Sequence, residues 1–443
     1  MSPIMIGMLA LVGFLILMFL GIPIPFAMLF ASALGIMAMT DPYVASQIMT
    51  AEMFNTFSNY ALTVGPMFGL MGFFASYTGI GEKLFVSMNY FFGHRKNGLA
   101  NAVQVASAGF GAICGSPPAC TSTMSAVAYP EMRKRGYAPE LAAGTIISGS
   151  GLSVLIPPSN NFIIYGIVTE TSIGKLFMAG IVPGLIMTAL NIAAITWMGW
   201  RHPNWTSKSP DVVPWKVRLK SLLNGGLIVI AVIFALSMGG MFAGIFTPTE
   251  AGAVGAFGLF VIVIVTRQLN WTKFKNALFA GVRLQAMVFM LLACANVFGK
   301  MFSVSTIPLV LGDWVAALEM DSWKIMAVIL VIYFVLGMVT DLLSMTLVTM
   351  PIFFPIVCGT LGYSPIWFGI IITMVISIGA LTPPVGSGVF IARGCLAFDP
   401  EATVTRLFRG SLPFVVTACI LTVMLLIWPG IATWLPAVFY GGA

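Results

Sequence analysis

Apolar runs long enough to cross a bilayer alternate with short polar connections from one end of this chain to the other. About 20 apolar residues suffice for one helical crossing, so the pattern predicts an all-α polytopic membrane protein. Two of the runs are interrupted in the same way. Leu155-Ile156-Pro157-Pro158-Ser159 breaks one, and Leu381-Thr382-Pro383-Pro384-Val385 breaks another. A proline pair cannot continue a helix, because each ring removes an amide donor and clashes with the preceding turn. Within lipid such a break survives only where protein, water, ions or a solute satisfies the freed backbone. Interrupted helices at matching places in two halves point to the binding site of a transporter.

The breaks belong to a duplication. Pro157 recurs as Pro383, and Gly136-Tyr137-Ala138-Pro139 as Gly362-Tyr363-Ser364-Pro365, both at an offset of 226 residues. Tyr129-Pro130 matches Phe354-Pro355 at 225, and Gly21-Ile22 with Pro25 matches Gly244-Ile245 with Pro248 at 223. Leu176-Phe177 with Gly180 and Pro183 returns as Leu407-Phe408 with Gly410 and Pro413, at 230 or 231. One accidental match is easy; an ordered set is not. The repeats run over 1–200 and 222–443, with a connector at 201–221 read as cytoplasmic.

Charge sets the expected orientation. His94-Arg95-Lys96 and Arg133-Lys134-Arg135 flank an apolar stretch too long for one crossing. A single span would also put the two basic clusters on opposite faces, against the positive-inside tendency. Two short helices that enter and return resolve both problems. This predicts a re-entrant hairpin at about 97–130, opening to the cytoplasm, with its tip near Gly115-Ser116-Pro117-Pro118-Ala119, followed by a broken helix at about 138–168. The counterpart hairpin falls at about 323–357, with its tip near Thr340-Asp341-Leu342-Leu343-Ser344, and its broken helix at about 363–398. Its ends carry no basic cluster and are placed outside, which makes the repeats inverted in the membrane. Both termini are then periplasmic.

Composition agrees and excludes other classes. Hydrophobic residues make up 59% of the chain and charged residues 8%, where a soluble domain carries about a quarter charged. The mean hydropathy is +1.00. The net charge of +7 sits in loop clusters, which argues for membrane orientation and lipid contact and against nucleic acid. Residues 4–20 have no basic stretch before them and read as a first spanning helix, not a cleavable signal. The six cysteines show no CxxC spacing, and the two histidines, His94 and His202, lie in basic loops. That leaves no metal pair, no His-centred triad and no sign of an organic cofactor.

Ionisable residues inside apolar segments each need a reason, since burying a charge there costs several kcal/mol. Asp341 lies at the second hairpin tip, where a carboxylate beside hydroxyls could help hold a hard cation or cap the hairpin's own amides. Lys300 lies within 284–304 and could attract an anion, pair with a carboxylate, or snorkel. Glu250 reads as a helix-start carboxylate beside Thr247. Uncharged polar residues cluster at the breaks. Ser116, Thr121, Ser122 and Thr123 decorate the first hairpin, and Ser148, Ser150, Ser153 and Asn160-Asn161 surround the first break. Gly379, Thr382, Gly386 and Ser387 surround the second. Small residues also let helices pack closely, but clustering at both breaks favours a backbone-built site for ions and solute.

Cys114-Gly115-Ser116-Pro117-Pro118-Ala119, Arg135-Gly136-Tyr137, Leu155-Ile156-Pro157-Pro158-Ser159 and Thr247-Pro248-Thr249-Glu250-Ala251 together resemble the large membrane subunit of tripartite ATP-independent periplasmic (TRAP) transporters. The resemblance covers essentially the whole chain. It implies an elevator-type importer of the bacterial inner membrane driven by a sodium gradient, with Na+ as coupling ion. It also implies two partners, a small four-helix membrane subunit and a periplasmic substrate-binding protein. Carried onto this sequence, one sodium site involves Gly115, Ser116, Ser153, Ile156 and Pro157, the other Asp341, Gly379, Thr382 and Pro383. Substrate would be reached by Ser116, Thr121, Ser122, Ser150, Asn160, Asn161 and Asp341, with Lys300 as a further candidate. The chain departs from the family's usual glycine at Ser153, and Pro117-Pro118-Ala119-Cys120 is unlike the sialic-acid members. The expected function is sodium-coupled uptake of a small organic anion, a carboxylate or sulfonate. A carrier that needs no binding protein, an intramembrane hydrolase and a passive scaffold subunit are the competing readings. The hydrolase lacks a second catalytic carboxylate or histidine within the apolar segments, and a scaffold has no need of broken helices.

Overall fold

The computed structural model of the chain describes residues 1–206, 212–224 and 226–441. Positions 207–211 of the expected connector and the last two residues lie outside them. All regular elements among the described residues are helical. Six helices are long and apolar enough to cross a membrane, or up to seven if the bent pair Trp215–Leu223 and Gly226–Phe242 forms one span.

Local sequence explains where the helices start. Proline, pre-set for a first turn and missing only an amide that would be orphaned there, opens Pro3–Phe19, Pro42–Ser58, Pro117–Lys134, Pro139–Leu155, Pro248–Val265 and Pro365–Gly379. Glu250 closes a capping box: its backbone N–H donates to Thr247 Oγ1 at 3.3 Å, and Thr247 N–H donates to Glu250 Oε2 at 2.8 Å. The segment 284–304 is part of a longer helix, Trp271–Ser305, capped by the Asn270 side chain. The basic residues Lys273, Lys275 and Arg283 belong to that same helix, since no proline interrupts it. Its 35 residues reach about 52 Å at 1.5 Å per residue, well beyond the hydrocarbon core.

Two helical hairpins and two broken helices form the centre of the molecule. The first hairpin pairs Gly98–Cys114 with Pro117–Lys134, and the second pairs Ser322–Gly337 with Leu342–Phe354. The first broken helix is Pro139–Leu155 followed by Asn160–Val168. The second is Pro365–Gly379 followed by Ser387–Cys395. Their contacts repeat along the chain. Asn160 N–H donates to Gly115 O at 3.3 Å, and Gly386 N–H donates to Met338 O at 3.3 Å. A Cβ added to Gly111 would lie 2.9 Å from Ser153 Cα, and one added to Gly379 would collide with the backbone of Gly337. Asn160 and Gly386, Gly111 and Gly337, and Ser153 and Gly379 are all separated by the same 226 residues.

The main apolar core surrounds these central elements. A second, smaller core joins Pro3–Phe19, Ile24–Met39, Pro42–Ser58 and the long helix Trp271–Ser305; of the hairpins and broken helices it takes in only Ile164 and Leu347 as buried side chains. At one end, charged groups tie the central elements to one another. Arg133, near the end of the first hairpin, pairs with Asp399 at 3.0 Å and with Glu401 at 2.6 Å. Arg406 reaches Glu140 at 3.4 Å and Glu401 at 3.5 Å, and Tyr129 Oη donates to Asp399 at 2.8 Å.

Candidate functional site

Both tips and both breaks meet at one cavity of about 190 Å³. Four helices begin on its wall: Pro117–Lys134, Asn160–Val168, Leu342–Phe354 and Ser387–Cys395, whose first residues or N-caps all line it. The aligned peptide dipoles place partial positive charge at each of these starts, but Pro117 and Pro118 have no N–H to give and Asp341 takes the amides of Leu343 and Ser344, so the first amides free to face an anion are those of Asn160–Val168 and Ser387–Cys395. Apart from Leu284 of the long helix, every lining residue comes from a hairpin or a broken helix.

Among the described residues, Asp341 is the only ionisable side chain on that wall. As N-cap its Oδ2 accepts from Leu343 N–H and Ser344 N–H, both at 3.1 Å, which leaves Oδ1 without a protein donor among the described residues. The capping and cavity roles therefore coexist in one carboxylate. Gly115 turns the first tip with φ +55°, and a Cβ there would collide with Pro158 O. Only glycine allows that approach of tip to break.

Of the residues singled out in the sequence, Gly115, Ser116, Thr121, Ser150, Asn160, Asn161 and Asp341 line the cavity. Asn161 lends little free polarity, because its Nδ2 donates to Thr373 Oγ1 at 2.7 Å and its Oδ1 accepts from Thr346 Oγ1 at 3.0 Å. It ties the two broken helices to the second hairpin. Ser153, Ile156 and Pro157 lie at the first break, and Gly379, Thr382 and Pro383 at the second, but none of them lines the cavity. Ser153 Oγ donates to Ser150 O at 2.7 Å, and Thr382 Oγ1 donates to Gly379 O at 3.0 Å. The breaks are unlike in exposure: Pro157 and Pro158 are buried, Pro383 and Pro384 exposed.

Two residues lie elsewhere. Ser122 is exposed and off the cavity wall. Lys300 lines a separate cavity of about 340 Å³, with Glu52, Asn296 and the outer part of the second hairpin. Residues 296 and 300 are one turn apart and share a helix face, which sequence spacing reveals, but the partner of that face is a matter of packing. Ser387, named in the polar cluster of the second break, also lines the central cavity, and so do Ser159 and Ser377, which no site expectation included. Ser159 is fully buried, and its Oγ has no partner among the described residues. Its position directly after Pro157-Pro158 was the available signal.

The donors present near the tips and breaks are carbonyls, hydroxyls and one carboxylate, the oxygen set a hard cation prefers. Among the described residues no three of His, Cys, Asp and Glu cluster as for a transition metal.

Comparison with known proteins agrees with this architecture. The family model described as the tripartite ATP-independent periplasmic transporter, DctM component, matches residues 11–431. The C4-dicarboxylate TRAP transporter large permease protein DctM of Pseudomonas aeruginosa is 31% identical over 409 residues, covering 92% of this chain and 91% of that protein. The 2,3-diketo-L-gulonate TRAP transporter large permease protein YiaN of Escherichia coli is 31% identical over 93% of this chain and 94% of its own length. The isethionate TRAP transporter permease protein DctMQ of Oleidesulfovibrio alaskensis is 31% identical over 97% of this chain, which spans 65% of that longer protein. Among solved structures, the YdaH transporter of Alcanivorax borkumensis shares the fold with a TM-score of 0.64 at 15% identity, covering 89% of this chain and 90% of that one. These relatives are transport proteins, not enzymes. The chain is a multi-pass integral membrane protein and belongs to the family of the large, DctM-type membrane component of tripartite ATP-independent periplasmic transporters.

Proposed function

We propose that this chain is the carrier subunit of a sodium-coupled importer in the bacterial inner membrane, taking up a small organic anion, a carboxylate or sulfonate. The observation that carries the reading is the convergence of four helix N-termini and both hairpin tips on one cavity with a single carboxylate. The amides and hydroxyls there suit an anion, and the carbonyls and Asp341 beside them suit Na+. Ions bound next to the solute offset its charge, which lets both cross together. A periplasmic binding protein delivers the anion, and a small four-helix membrane subunit completes the complex. The relative DctMQ carries both letters of such a pairing in its name.

The cavity wall belongs almost wholly to the hairpins and broken helices, while the second apolar core meets them through few buried side chains. That division supports an elevator, in which the central elements move as a unit past a fixed frame of Pro3–Phe19, Ile24–Met39, Pro42–Ser58 and Trp271–Ser305. Inverted repeats supply the two equivalent end states.

Uptake into liposomes holding this chain and its small partner subunit tests the reading. Radiolabelled carboxylates and sulfonates are offered with and without the binding protein and an inward sodium gradient. Uptake that needs both supports the tripartite, sodium-coupled carrier. Sodium-driven uptake without the binding protein selects the two-component carrier, and uptake indifferent to sodium rejects the coupling ion.

A further inference from the structure

A second feature sits where the long helix meets the first broken helix. Gln285, on Trp271–Ser305, is 7% exposed. Its Nε2 donates to Gly65 O at 3.1 Å, while its Oε1 is buried with no partner among the described residues. The seat for this side chain is cut into the facing helix Val64–Tyr77. A Cβ on Gly65 would stand 3.1 Å from Gln285 Oε1, and one on Gly69 would stand 2.8 Å from Nε2. Two glycines one turn apart thus admit an amide into an otherwise apolar seam.

Beside Gln285 lies a void of about 20 Å³, room for roughly one water. Apart from Gly65, the side chains around it are apolar except for two, Gln285 and Asn160. Asn160 is also the one residue that lines both this void and the central cavity. Its side-chain amide makes no hydrogen bond with protein among the described residues, whereas its neighbour Asn161 is fully engaged. A buried amide oxygen without a donor destabilises the arrangement that holds it. Among the residues around the void, Asn160 carries the one other side-chain amide, and it lies on the first broken helix.

We propose that Gln285 latches the carrier in the arrangement described here, the one that receives the anion, for as long as no anion is bound. With no anion in the cavity, the Asn160 amide donates to Gln285 Oε1 across the void, directly or through one water. A bound anion takes that donor for itself, and the rest of the seam, including Ile163, Ile167, Val288 and Phe289, carries no directional bond to resist sliding. Gln285 is a positioning residue that acts through Asn160 and does not touch the cargo. The inference rests on the elevator reading above, and it names the device that keeps a site loaded with sodium alone from crossing.

The test is 22Na+ influx into liposomes holding this chain and its small partner subunit, with no organic anion present. Gln285→Met, similar in length but without the acceptor, is expected to raise influx about five- to tenfold, the range a single net hydrogen bond supplies. Gly69→Ala, which crowds the seat, is expected to do the same. A second measurement needs no transport: melting of the detergent-solubilised complex in sodium buffer for Asn160→Ala, Gln285→Met and the pair. Non-additive shifts support the latch. Unchanged influx in Gln285→Met, or additive melting shifts, overturns it. If the wild-type complex moves neither sodium nor any anion, the carrier reading fails, and the melting cycle still decides whether the two side chains are coupled.

Discussion

Asp341 is committed on one oxygen to Leu343 and Ser344 and is free of protein donors on the other. Asparagine caps helices about as well as aspartate, so Asp341→Asn separates structure from charge. We expect the variant to assemble normally and to lose uptake about 10- to 100-fold at limiting sodium, the scale of one charge-assisted contact. Near-normal uptake in sodium titrations of proteoliposomes would remove Asp341 from the ion site. Gly379 tests the second break differently. An added methyl there has only the Gly337 backbone to push against, and overpacking of that kind costs about 1–3 kcal/mol. Gly379→Ala is expected to lower the melting temperature and abolish uptake together. A variant with wild-type melting and uptake would mean that tip and break need not approach so closely.

The ring of charges around Arg133 joins the first hairpin, the first broken helix, the loop after the second broken helix and the start of Val404–Ile427. Partial burial alone would raise the Asp399 carboxyl. Donors from Tyr129, from the Glu401 backbone and from Arg133 outweigh it and hold the group below its ordinary value of 3.8. A carboxylate lowered in the folded state stabilises it at every pH above the unfolded value, and that contribution fades as pH falls through the folded one. Asp399→Asn should therefore cost stability at neutral pH, on the order of 1 kcal/mol for so partly exposed a pair. The difference from wild type should vanish only well below pH 4. Melting curves of the two proteins from pH 7 to pH 3 check this, and a gap that closes by pH 5 would contradict it.

For the whole molecule the sharp question is whether the central elements move against the frame. The frame touches the second hairpin closely at Gly299, where an added Cβ would lie 3.4 Å from Pro351 Cβ, near the separation a disulfide spans. Oxidation of a Gly299→Cys/Pro351→Cys variant is expected to stop sodium-driven uptake, and a reductant to restore it. Full uptake by the cross-linked protein would show that this hairpin stays docked throughout the cycle, against an elevator.

The chain's own pattern decided the helical class, because apolar length and the absence of charge are local properties that lipid reads directly. It also decided where helices must stop, since proline and glycine act on their own turn: the helix ending at Leu155 resumes at Asn160, and the one ending at Gly379 resumes at Ser387. The capping role of Glu250 was equally local. Other features needed the tertiary structure. Lys300 belongs to a different cavity from Asp341, Asn161 spends its amide on Thr373 and Thr346, and Ser159 and Gln285 carry buried oxygens without partners among the described residues. Each of these depends on which distant segment a side chain faces. That is settled by packing among helices far apart in the chain, which residue type alone does not record.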